Sequence, residues 1–116
     1  MNSVIIKENI GGVNMNEYVK GLTFENIIGK LILVGVTYKN KNGDVLNYRQ
    51  FHGRVLHADA DKGITIKNDS NQTYNLPPDL NFFVAAEPGE YREKESGIVI
   101  SNPDYITQWI STKSDT

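Results

Sequence analysis

The sequence predicts a mostly β domain, a small barrel of short strands with a C-terminal α-helix packed across it. Three observations lead there. From Lys30 the run LILVGVTY is apolar on both faces, as in a strand covered on two sides. Short apolar or alternating runs recur about every ten residues, with turn clusters between them, which favours a sandwich or barrel. Near the end, Asn102-Pro103-Asp104 has the residue types of a helix start, and Ile106, Trp109 and Ile110 follow at i, i+3 and i+4.

Residues 1–22 form an N-terminal extension with one apolar triplet, Val4-Ile5-Ile6, suited to an edge strand, and a loose region from Gly11 to Asn16. The single domain spans 23–112, and 113–116 is a polar tail. Thr23 fits the cap of one helical turn, Phe24 to Ile28, ended by Gly29. The first strand beginning near Ile27 is an equal reading. After the first strand, Asn42-Gly43 is a two-residue hairpin signal. Tyr48 to Leu80 then reads as a three-stranded meander, turned at Asp59-Ala-Asp-Lys-Gly63 and Asp69-Ser-Asn71, and stopped by Pro77-Pro78, which cannot donate to a ladder. Asp79 to Asn81 suggests a 3₁₀ turn, Phe82 to Ala86 a strand, and Glu87-Pro-Gly-Glu90 a turn. A polar segment runs from Tyr91 to Glu95, and Ile98-Val99-Ile100 is a last short strand.

Composition excludes several chemistries. With 116 residues the chain has the size of one domain, able to bury roughly two thirds of its unfolded surface. It has no cysteine, which removes disulfides, thiolate catalysis and cysteine-based zinc or iron–sulfur sites. Fourteen acidic against twelve basic residues give a net charge of −2, so no global field draws nucleic acid. The start MNSVIIKENI lacks a signal peptide's long apolar core, and no apolar run approaches the roughly 20 residues of a membrane span. A cytoplasmic protein without cofactor or metal is the expectation.

Candidate chemistry is sparse. His52 and His57 are the only histidines, and in a regular strand a separation of five puts them on opposite faces, unable to share a metal. His52 reads as a surface residue and His57 as a cap on the core edge. No serine has a base with an orienting partner nearby in sequence, so no catalytic residue is assigned. Asp59-Ala-Asp61-Lys-Gly63 lacks the later ligands of a calcium loop and reads as a turn.

Two surfaces suit recognition. Tyr48, Gln50, His52 and Arg54 alternate along one strand and share its polar face, an aromatic and a cation among hydrogen-bonding groups. An ordinary solvated sheet face gives the same pattern. The acidic stretch with Glu90, Tyr91 and Glu93 offers a negative surface able to compete with nucleic acid for a basic groove.

The order of strands, hairpins and 3₁₀ turn over about residues 27–91 resembles the small SH3-like or Sm-like barrels, a resemblance of topology that carries no function. The elements Gly29-Lys30, Gly35-Val-Thr-Tyr38, Gln50-Phe51-x-Gly53, Leu76-Pro-Pro-Asp-Leu80, Pro88-Gly-Glu-Tyr91, Ser96-Gly97 and Asn102-Pro-Asp-Tyr105 with Trp109 are similar to those of a set of small uncharacterised bacterial proteins. Some of that set come from toxin and immunity gene neighbourhoods. The resemblance spans roughly 24–112, carries no catalytic residues, and implies a non-enzymatic, immunity-type inhibitor that occludes a protein partner. The other reading is an Sm-like or SH3-like nucleic-acid binder using Arg49 and Arg54.

Overall fold

The computed structural model describes residues 19–94 and 96–112. Among these it contains eight strands: β1 (Leu31–Lys39), β2 (Val45–Asp59), β3 (Gly63–Lys67), β4 (Thr73–Leu76), β5 (Phe83–Ala85), β6 (Glu90–Arg92), β7 (Val99–Ser101) and β8 (Tyr105–Thr112). Six form one sheet in the order β4-β3-β2-β1-β8-β5, and β6 pairs with β7 as a separate two-stranded sheet. Within the large sheet only the β1–β8 pair is parallel.

The turns form where local chemistry demands them. Between β1 and β2, Asn40 Oδ1 accepts the amides of Asn42 and Asp44 at 2.9 and 3.0 Å, and Gly43 takes φ 92°. Between β2 and β3, Asp59 Oδ1 accepts the Asp61 amide at 2.9 Å and also the Lys62 amide, before Gly63 at φ 92°. The expected meander is therefore present. Asp79 caps a 3₁₀ turn at Leu80–Phe82 by accepting from the Asn81 amide. Residues 24–29 form turns held by Thr23 and Asn26, each of whose side chains accepts the other's amide. The first strand does not begin at Ile27.

Both faces of the large sheet are covered at its centre. On one face Ile32, Val34, Val36, Val55, Ile64, Ile66, Leu76 and Phe83 form the main core, joined by Ile27 from the preceding turn. Full burial of each such side chain is worth about 1.5–3 kcal/mol. On the other face Leu33 and Ile106 pack with Ile100 of β7, flanked by Tyr48, Val84, Ala86 and Tyr91. The β6–β7 hairpin is thus a second layer over β1, β2 and β8. This double covering is why LILVGVTY carries no polar face.

Two expectations are corrected. The C-terminal helix is the strand β8, in unbroken register with β1 from Ile32↔Tyr105 to Lys39↔Thr112. Tyr, Ile, Thr and Trp suit a pleated surface, and pairing with β1 satisfies the backbone that a helix would have satisfied internally. Ile106 and Trp109 consequently lie on opposite faces, one in each core. The helix-start residues serve elsewhere: Asn102 sits at φ 49° and Asp104 Oδ2 accepts the Leu31 amide at 2.8 Å. The second correction concerns closure. Among the described residues β4 and β5 end the sheet on opposite sides, so it does not close into a barrel. The expected edge strand at Val4-Ile5-Ile6 and the loose segment Gly11 to Asn16 lie outside the described residues.

Candidate functional site

The two surfaces expected from the sequence meet each other. Tyr48, Gln50 and His52 project from β2 on the face covered by the hairpin, and the segment following β6 closes over them. Gln50 is 5% exposed, and its Oε1 accepts the Lys94 amide at 2.8 Å. Glu93, 6% exposed, places Oε2 2.5 Å from His52 Nδ1. Ser96 Oγ donates to Glu93 Oε1 at 2.7 Å and accepts the Ile98 amide at 3.1 Å. The result is a polar seam between the layers.

Its electrostatics follow from the pairing. The hydrogen bond with Glu93 raises the His52 imidazole above its ordinary value against the opposing effect of burial, and the charges of Glu93 and Asp69 add to it. Burial pushes the Glu93 carboxyl upward. Hydrogen bonds from His52 and Ser96 outweigh that, and the group lies below its ordinary value. Burial raises the Tyr48 phenol, with Gln50 pulling the other way. Among the described residues neither Tyr48 Oη nor Gln50 Nε2 has a hydrogen-bond partner in good geometry. Because Glu93 lies between Ser96 and His52, the arrangement does not place the imidazole to take the serine proton, as nucleophile activation requires.

The sequence-predicted residues separate accordingly. Tyr48, Gln50, His52 and Glu93 belong to the seam, so neither the open polar face nor the fully exposed acidic strand is present. Arg54 is exposed and donates to the Gly29 carbonyl at 3.1 Å. Tyr91 turns inward beside Ile100, and its hydroxyl donates to the Glu87 carbonyl at 2.8 Å. Glu90 alone of the acidic candidates faces outward, with Arg92 on the same side of the hairpin. The histidines exchange the places expected of them: His52 is covered, and His57 is exposed beyond a bulge at Leu56.

The sequence reading missed the outer half of β8. Thr107 is the last β8 residue paired with β5, so among the described residues Gln108–Thr112 have β1 on one side and no strand on the other. Ile110 is 64% exposed there. Trp109, on the opposite face, stacks on Phe82 with ring centroids 4.5 Å apart, and its Nε1 is buried without an acceptor among the described residues. Phe82 itself is 45% exposed. The signal was available in the β-branched and aromatic run YITQWIST.

Among the described residues no cluster of three or more His, Asp or Glu side chains is placed to hold a metal ion, and no helix is long and apolar enough to cross a membrane. Comparison with protein-family models, curated proteins and solved structures finds nothing that matches this chain.

Proposed function

We propose that this chain is a non-enzymatic protein-binding module, an immunity-type inhibitor that works by covering the active surface of a partner protein. The observation supporting this reading is the uncharged outer part of β8. Ile110 is exposed there, and Val45 and Leu46 are exposed at the same end of the sheet, separated from β8 by Lys39 of β1. Surfaces of this kind favour protein partners. A nucleic-acid interface would need aromatic rings and cations together on open surface. Here Tyr48 is half-buried with its hydroxyl out of solvent, and Arg54 donates to the Gly29 carbonyl.

The test is affinity capture of the tagged protein from its source organism's lysate, with a parallel nuclease-treated sample and an activity assay on whatever is retained. A stoichiometric protein that survives nuclease and loses its activity in the complex is the expected result. Recovery of nucleic acid, or of proteins only while nucleic acid is intact, would overturn the reading.

A further inference from the structure

The exposed strand edges of this fold are not equally guarded. β4 has four residues and runs directly into Pro77-Pro78, and β5, β6 and β7 have three residues each. Short strands and prolines are the ordinary means of preventing unwanted pairing. β8 has neither. It is eight residues long, YITQWIST contains no charge and no proline, and no bulge interrupts its register with β1. Among the described residues its outer five therefore present main-chain donors and acceptors along an edge that no strand covers and that only the 3₁₀ turn at Leu80–Phe82 adjoins, through Phe82 on Trp109.

We propose that Gln108–Thr112 receive an extended segment of a partner protein as an added strand, a reading that rests on the protein-binding function above and specifies how the partner is held. Main-chain hydrogen bonds would supply the ladder, and side-chain alternation would supply selectivity. One side of the incoming strand would lie over Ile110. The other would lie against the Phe82–Trp109 stack, whose buried indole N–H has no acceptor among the described residues. Both sides favour uncharged β-branched or aromatic residues. A second copy of the chain fits less well. Two five-residue edges paired about a two-fold axis bury far less than the roughly 1,200 Å² of a stable interface. A larger partner can continue from its strand onto Val45 and Leu46.

Trp109 is the single tryptophan, so its fluorescence reports on this edge alone. The experiment is selection of a displayed random dodecapeptide library on the full chain and on Ile110→Lys, which places a lysine on the edge without touching the core. The expected result is enrichment of uncharged, alternating sequences. The selected peptides should shift Trp109 fluorescence, slow amide exchange at alternate positions within 108–112, and bind Ile110→Lys at least tenfold more weakly. Equal binding to both chains, or no enrichment, would overturn strand addition. So would slow exchange at these amides in the free chain that is lost on removing residues 1–18, since the edge would then be closed from within. A concentration-dependent dimer dissociated by Ile110→Lys would assign the edge to a second copy and overturn it as well. If Ile110→Lys captures the nuclease-resistant protein partner as well as the wild type does, strand addition falls while the protein-binding reading stands; capture of nucleic acid alone removes both.

Discussion

His52 and Glu93, forty-one positions apart in sequence, share a hydrogen bond across the seam between the two sheets. The attachment of the β6–β7 hairpin to β2 therefore depends on the protonation of both groups.

The pH dependence follows with a definite sign. Glu93 lies below its ordinary value, so its contribution is present above the unfolded carboxylate value of about 4.3 and is lost as pH falls through the folded value. His52 lies above its ordinary value, so its contribution is complete below the unfolded value of about 6.5 and is lost as pH rises through the folded one. The pair stabilises most between about pH 4.3 and pH 6.5. Melting temperatures of the wild type and His52→Gln should differ most in that window and converge on both sides. A constant difference across the range would separate the pair from stability.

Glu90 and Glu93 are three residues apart but respond oppositely to charge reversal. Glu90→Lys, on the solvent side, should change stability by no more than about 0.5 kcal/mol. Glu93→Lys puts a cation against His52 in a covered seam and should cost about 3 kcal/mol or more. Urea unfolding of the two variants measures the contrast.

Gly53 is required by its neighbours. A Cβ there would stand 2.5 Å from Ile66 Cγ2 and 2.6 Å from the Lys67 carbonyl oxygen, and the latter is backbone with little room to yield. Gly53→Ala should destabilise by at least about 1–3 kcal/mol, read from the denaturation midpoint.

Asn102 holds the base of the hairpin. Its Oδ1 accepts the Gly89 amide at 2.9 Å, and its own amide donates to the Gly89 carbonyl at 2.8 Å. Asn102→Ala loses the first bond and strains a residue at φ 49°, for about 2 kcal/mol. Asn102→Gly keeps the conformation and should cost about half of that. Equal losses for the two variants would show that the backbone conformation does not matter.

What was legible in the sequence was local. Asn42-Gly43, Asp59 to Gly63 and Asp79 carry their turns in their own side chains and φ preferences, and the meander from β2 to β4 followed. What was illegible was set by partners distant in the chain. Ile106, Trp109 and Ile110 satisfy a helical spacing as well as a strand, and the choice is made by β1, with Leu31 and Asp104 joined across seventy-three positions. The alternation of Tyr48, Gln50 and His52 correctly gave one polar face, but a polar face does not say what covers it. That depended on Glu93 and Lys94 arriving from a hairpin whose strands are three residues long. The same non-local pairing left the outer edge of β8 invisible.

The parallel pairing of β1 with β8 places the first described strand beside the last. Such contacts, between positions some seventy residues apart, are slow to form because a long loop must close before they contribute. During synthesis β1 is made before β8 and can pair with β2 as soon as that strand follows, yet among the described strands its other edge has no partner until β8 has been made. Over that interval the most buried of the described strands lacks its β8 neighbour on one side. The vulnerable period of this molecule is therefore the interval between the synthesis of β1 and that of β8, when a chaperone or any other β-rich chain meets an edge that β8 later covers.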